Sequence, residues 1–364
     1  MVVGAIRMKS FKIGKKKINN NSKTYFIADI AANYDGSLNR ALKLIKLAAK
    51  AGADAAKFQH FKAETIVSDK GFKALGKKFA HQSKWKKSVF EVYRDASINF
   101  SWTPLLKKQC KKCNIDFFTS PYDLELVDKV NKYVVAYKIG SGDITWLDII
   151  KKISKKKKPV IIATGASDKK DVIRAVNLIK KFNKKIVLMQ CNTNYTAKAE
   201  NNYHLNLNVL NQYKKLFGNK VILGLSDHTE GHNSVLGAVA LGARVVEKHF
   251  TDNNFRVGPD HLFSMNPKSW QKMVHETRKL ERSLGDGTKK IELNEKDSSI
   301  VQRRSIRSNQ RLKKGTIIKE SLLTYLRPCP KNALNPFEKS KILGKKLKKN
   351  IDKEEIINCQ NTIQ

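Results

Sequence analysis

One unit recurs eight times along this chain: a short apolar or β-branched run, a polar turn, then an amphipathic helical stretch. The spacing predicts strands at 25–30, 55–59, 116–119, 136–139, 160–163, 186–190, 221–225 and 245–249. Helical patterns follow at 38–51, 104–112, 124–131, 146–154, 170–182, 205–217, 234–241 and 267–284. Thr103-Pro104 reads as a polar cap with proline at the first helical position, and Gly52 closes the first helix. Eight strand–helix units predict a (β/α)8 barrel, an α/β fold, in place of an open doubly wound sheet.

The connection after the second strand, 61–102, is longer than the others. It contains Gly71, Gly76 and an extra helical piece around 88–96, and would lie over the C-terminal face of the barrel. After Leu284 the texture changes. Gly285-Asp286-Gly287 breaks the last helix, a charged stretch follows, and the final sixty or so residues show short strand-like runs without a long helix. The expected organisation is a barrel over 1–285, a linker over 286–302 and a small, mostly β domain over 303–364.

Composition narrows the function classes. The formal net charge is +40, from 72 Lys+Arg against 32 Asp+Glu, and 59 of those cations are lysine. Positive charge invites a nucleic-acid reading. However, the lysine runs at 15–17, 155–158 and 345–349 are scattered, with no helix-turn-helix, zinc finger or aromatic-interleaved patch. No specific nucleic acid is expected, although the positive potential suits anionic substrates. No apolar stretch reaches the length of a membrane span. MVVGAI, before Arg7, is too short for a signal-peptide core. Five cysteines, with a lone Cys110-x-x-Cys113 inside an amphipathic helix, suit reduced thiols; a cytoplasmic protein is expected.

In a barrel of this kind, chemistry gathers at the C-terminal ends of the strands. Those ends carry Asp29, Lys57 and Gln59, Ser120, Lys138 with Ser141 and Asp143, Thr164, Asn192 to Tyr195, Ser226 to His228, and Glu247 with His249. Lys57 and Lys138 end apolar strands, where an ammonium group needs an anion to offset desolvation. With the hydroxyls of Ser120, Ser141 and Ser226 they suit a phosphate and a carboxylate; a Schiff-base lysine is the competing reading. His228 and His249 end neighbouring strands, with Asp227, Glu247 and Asp260 close in sequence. That set could hold one divalent cation with open positions.

The segments GADAAKFQ (52–59), AYKIGSGD (136–143), GLSDHT (224–229), VVEKHF (245–250) and GPDH (258–261) resemble, in order and spacing, the motifs of the sialic acid synthase family. That family comprises N-acetylneuraminate synthase and its legionaminate and pseudaminate relatives. The tail, with RRSI (303–306), KKGTIIKESLLTYLRP (313–328) and ILGKKL (342–347), resembles the antifreeze-like (SAF) domain joined to that barrel.

The resemblance implies condensation of phosphoenolpyruvate with an open-chain N-acyl amino sugar, giving a nonulosonic acid and phosphate. It implies that Lys57, Ser120, Lys138, Ser141 and Ser226 hold phosphoenolpyruvate, and that His228 and His249 bind Mn2+ or Mg2+. Asp260 and Tyr195 would contact the sugar. Arg327, from the SAF domain, would reach a partner subunit's site in a domain-swapped homodimer. Asp29 and Glu247 are the candidate bases, with Asp143 a third catalytic carboxylate.

The chain departs from the family pattern at several positions. Asp29 and Asp143 stand for the usual Glu, Tyr34 for His, Thr193 for Asn, Ala163 for Ser or Thr, and Cys329 for the Gly of RPG. The expectation is the same reaction on a different or larger acceptor, several of the altered positions surrounding the sugar or its water. The alternatives are another phosphoenolpyruvate-condensing synthase on this fold, or a non-catalytic sugar- or anion-binding paralogue.

Overall fold

The computed structural model describes residues 10–75, 85, 87–196 and 198–363. The chain forms two compact units, Met1–Gly285 and Asp286–Gln364. Gly76 and the MVVGAI segment lie outside the described residues.

The first unit opens with an antiparallel hairpin, β1 (Ser10–Ile13) and β2 (Lys16–Asn19). Eight parallel strands then close a barrel: β3 (Tyr25–Asp29), β4 (Ala55–His60), β5 (Asp116–Pro121), β6 (Tyr137–Ile139), β7 (Val160–Ala163), β8 (Ile186–Cys191), β9 (Ile222–Asp227) and β10 (Val245–His249). Neighbours follow chain order and β10 pairs with β3, so no edge is left open. This is the expected (β/α)8 barrel.

A helix follows each strand, the first being Leu38–Lys50 and the last Pro267–Ser283. Side-chain caps begin several of them. Ser37 accepts from Arg40 N, and Asp168 and Asn266 each close a capping box. The expected cap at Thr103 is not one. Trp102 is the N-cap, Thr103 is already helical, and its buried hydroxyl bonds the His60 ring at 2.8 Å. Cys110 is buried and Cys113 partly so on the same helix, neither in a disulfide. Burial pushes the Cys110 thiol well above its usual range, which leaves it inert.

The hairpin, absent from the sequence reading, closes the N-terminal end of the barrel. Phe11, Ile13 and Ile18 join its core. Gly14, at the turn, has φ +54, and a Cβ there would stand 2.1 Å from Asp116 Oδ1. Only glycine allows this approach. At the opposite end, the long connection after β4 folds into short helices Ala63–Ile66, Asp69–Leu75 and Val89–Ala96, the last capped by Ser88 in a box with Glu91.

The second unit has its own small core of Ile306, Leu312, Ile318, Leu323, Ile342, Leu347, Ile351 and Ile357. Two antiparallel pairs frame it: β11 (Ser305–Ser308) with β12 (Leu323–Leu326), and β13 (Lys346–Leu347) with β14 (Thr362–Ile363). Residues 286–302, expected as a linker, group with this unit. They hold a short helix, Ser298–Val301, and Ile300 O accepts from Cys329 N at 2.9 Å. No helix among the described residues is long and apolar enough to cross a membrane.

Candidate active site

Strand alternation sends every second side chain into the barrel. At its C-terminal end this gathers charges. Lys57 Nζ lies 2.7 Å from Asp29 Oδ2 and 3.8 Å from Glu247 Oε1, and Lys138 Nζ lies 3.2 Å from the same Glu247 oxygen. Ser226 Oγ donates to Glu247 Oε1 at 3.2 Å. Lys57 is 2% exposed and Lys138 3%, so both ammonium groups are removed from water. Burial does push the Lys57 amine down, but Asp29 and Glu247 more than offset it and the net shift is upward. Lys57 is therefore a cation held by two carboxylates, which disfavours the neutral amine that Schiff-base chemistry would require of it.

The cluster is not closed on itself. Among the described residues, Ser120 Oγ, Glu247 Oε2 and His249 Nδ1 are buried without a hydrogen-bond partner. Buried polar atoms are seldom left so, and three around one interior point to a ligand. Ser141 faces the same end: its Oγ accepts from Gly165 N at 2.9 Å. Gly165 cannot be larger, since a Cβ would stand 2.5 Å from Thr193 and 3.0 Å from Ser141 Oγ.

His228 and His249 stand with ring centroids 5.3 Å apart. His228 Nδ1 lies 2.8 Å from the Asn192 carbonyl, an arrangement that fixes the ring and turns Nε2 away. His249 Nε2 lies 3.6 Å from Asp29 Oδ2. The rings of Tyr195 (4.3 Å from His228) and Phe263 (4.9 Å from His249) wall this pair in. Two oriented imidazoles with an unpartnered nitrogen fit a divalent cation that keeps open positions. Among the described residues no three His, Cys, Asp or Glu side chains gather closely enough to complete a site by themselves.

Asp227 does not join them. It alternates to the outside of β9, where Lys248, Ser234 and Thr229 occupy its carboxylate. Lys248 also donates to Thr229 O at 2.7 Å, so a fully buried ion pair clamps the turn that carries His228. The sequence reading missed this role for Lys248; its place next to Glu247, one residue out of phase, was the available signal. Thr164 is likewise structural, bonding Met189 O and the Tyr213 hydroxyl.

Asp260 accepts from Ala32 N at 3.2 Å, and burial raises its carboxyl to about 6. Burial lifts Asp143 to about 6 as well, with Lys138 pulling it down. Tyr34 is fully buried, and its hydroxyl donates to Ala96 O at 2.6 Å. The contact ties down the inserted segment. Arg327 is exposed on the second unit.

Residues 44–289 match the NeuB family. N,N'-diacetyllegionaminic acid synthase of Campylobacter jejuni is 36% identical over 92% of this chain and 99% of its own. Pseudaminic acid synthase of the same species is 34% identical over 92% of this chain and 95% of its own. The crystal structure of N-acetylneuraminic acid synthetase from Leptospira borgpetersenii superposes with a TM-score of 0.70 at 28% identity, covering 80% of this chain and 95% of that one. With the barrel, its charged C-terminal end and these relatives agreeing along nearly the whole sequence, the chain belongs to the NeuB family.

Proposed function

We propose that the enzyme condenses phosphoenolpyruvate with an open-chain N-acyl amino sugar, releasing phosphate and a nonulosonic acid. The observation that carries this reading is the pair of buried lysines facing unpartnered Ser120 Oγ beside two histidines. Lys57 and Lys138 would hold the phosphate and carboxylate, with Ser120, Ser141 and Ser226 donating to their oxygens. The two lysines and two carboxylates sum to no net charge, so a polyanionic substrate calls for added positive charge.

His228 and His249 would hold that charge as Mn2+ or Mg2+, which polarises the sugar aldehyde when bound. The remaining steps belong to the chain. Its lysines fix phosphoenolpyruvate so that C3 approaches the aldehyde carbon, and the C–C bond forms from the C2–C3 π electrons. As it forms, the aldehyde oxygen takes a proton from a carboxylic acid of the site, which the proton lost by water in the next step restores. Water adds at the electron-poor C2, giving its proton to Glu247 or Asp29, with Asp143 near enough to Lys138 to tune that end. The tetrahedral C2 then expels phosphate by C–O cleavage, leaving the keto acid. Asp260 and Tyr195 would position the sugar.

We also infer that Arg327 completes the acceptor subsite of a partner subunit in a domain-swapped homodimer, its planar fork holding an acylamino oxygen. The protein would work in the cytoplasm, where phosphoenolpyruvate is made. Incubation with phosphoenolpyruvate, Mn2+ and a panel of N-acyl hexosamines should release phosphate, and chelation should stop it. Mixing Arg327→Ala with Lys138→Met chains should restore part of the activity that each lacks. Absence of phosphate release with every acceptor would favour a non-catalytic binding role.

A further inference from the structure

Two carboxylates of the site, Asp29 and Asp260, each accept from a backbone amide of one short loop, residues 30–37 between β3 and the helix Leu38–Lys50. Ala31 N donates to Asp29 Oδ1 at 3.1 Å, and Ala32 N to Asp260 Oδ2 at 3.2 Å. The loop that offers these amides is bent into a shape it would not choose alone. Ala31 has φ +46 and Asp35 φ +49, left-handed values that a side chain disfavours. Such strain persists only where surrounding contacts hold it.

Asp35 supplies those contacts. Its Oδ2 accepts from Arg256 Nε at 2.8 Å and lies 3.1 Å from Arg40 Nε, while its Oδ1 accepts from His261 Nε2 at 2.8 Å. Arg256 and His261 belong to the loop after β10, the same loop that carries Asp260. With its proton on Nε2, the fully buried His261 ring accepts from the Thr251 hydroxyl on Nδ1 at 2.7 Å, and Thr251 Oγ1 accepts from Asn253 N at 3.3 Å. Gly258 leaves no slack, since a Cβ there would stand 2.6 Å from His261 Cδ2. Asn33 joins the same two loops by donating to Phe250 O and Ser264 Oγ. Among the described residues that line the cavity at the barrel mouth, Ala32, His249 and Asp260 are present and Asp35 is not.

Resting on the reaction proposed above, we propose that Asp35 is a positioning residue. Without touching substrate, it locks the loop after β3 in the conformation whose two amides aim Asp29 and Asp260 at the reacting groups. A carboxylate left to swing loses the placement on which proton transfer and sugar binding depend.

The test uses the full chain. Hydrogen exchange without substrates reads the loop: in Asp35→Ala the amides of Ala31 and Ala32 should exchange about tenfold faster or more, while those of β7 keep their native rates. With phosphoenolpyruvate, Mn2+ and the panel of N-acyl hexosamines, kcat/KM for the sugar should fall by about tenfold or more. Calorimetric affinity for phosphoenolpyruvate should stay native. Asp35→Asn keeps a residue that tolerates the left-handed turn and an oxygen for His261, and should recover part of both losses. Arg256→Ala, at a side chain 42% exposed, removes one partner of Asp35 and should give the same pattern at smaller size. Native exchange at both amides, or fast exchange with native kcat/KM, overturns the proposal. Equal losses of phosphoenolpyruvate affinity and sugar kcat/KM also overturn it, since they place Asp35 with the scaffold. Should Asp35→Ala fail to fold, the same readings on Asp35→Asn and Arg256→Ala decide. Fast exchange in Asp35→Ala, with no turnover of any acceptor by the native chain, upholds the lock and removes the reaction.

Discussion

The two ends of the barrel treat their buried polar groups differently. At the N-terminal end Asp54 accepts from Lys16 and from Phe26 N, Asp116 accepts from the Tyr25 hydroxyl at 2.7 Å, and the hairpin covers both. At the C-terminal end Ser120, Glu247 and His249 keep buried atoms without partners, beside two lysines. Asp54 and Asp116 are spent on the scaffold, whereas three unpartnered atoms gathered beside two lysines suit a ligand. Location alone does not decide the matter. His60, on the last residue of β4, has Thr119 and Thr103 on its two nitrogens and is as saturated as anything at the far end.

The largest effect that would sharpen this contrast is on the Asp227–Lys248 pair. Removing one partner of a buried ion pair costs about 3–5 kcal/mol, so Lys248→Met should lower the urea midpoint sharply. It should also weaken metal affinity by loosening the turn before His228. Lys248→Met combined with Asp227→Leu should recover stability without restoring metal affinity. A double variant with normal metal affinity would show that the clamp plays no part in placing His228.

Lys138→Met comes next. It should weaken phosphoenolpyruvate binding by about 2–5 kcal/mol, measured by calorimetry, while the thermal midpoint falls less than in Lys248→Met, because Glu247 keeps Lys57 and Ser226 as partners. Equal losses of binding and stability would place Lys138 with the scaffold.

His60 gives a pH test. Burial holds its imidazole down to about 4, below the usual value of about 6.5, so the folded state prefers the neutral ring. As pH falls below 6.5 the unfolded chain takes a proton that the folded chain refuses, and stability declines until about pH 4. The total is about 3 kcal/mol, of which about 2 is lost by pH 5. A denaturant series should show that slope, and His60→Gln should flatten it. The smallest effect falls at the closed end: Asp54→Ala should cost about 1–3 kcal/mol of stability and leave both KM values unchanged. A raised KM there would mean that the two ends are coupled.

Much of the barrel was legible because strand and helix periods repeat, and Val160–Ala163 and Val245–His249 were read with their observed bounds. The hairpin was not, since SFKIGKKKIN offers few apolar positions and its burial depends on the barrel it caps. The lysines and histidines of the site were visible as polar residues ending apolar runs. Which carboxylates point inward was harder. Asp227 ends β9 and Glu247 lies midway along β10, and only their phase within those strands separates a scaffold group from a site group. The role of Tyr34 was hidden for a related reason: its hydroxyl finds a carbonyl 62 residues away, and nothing local announces that contact.

The central claim is that the open end of the barrel joins two substrates by carbon–carbon bond formation and does not simply hydrolyse a phosphate ester. Running the reaction in 18O-labelled water and weighing the released phosphate by mass spectrometry tests it directly. Addition of water at C2 with C–O cleavage predicts phosphate free of the label, formed one for one with the sugar acid and abolished in Lys138→Met. Labelled phosphate, or release that continues without an acceptor sugar, would contradict the account.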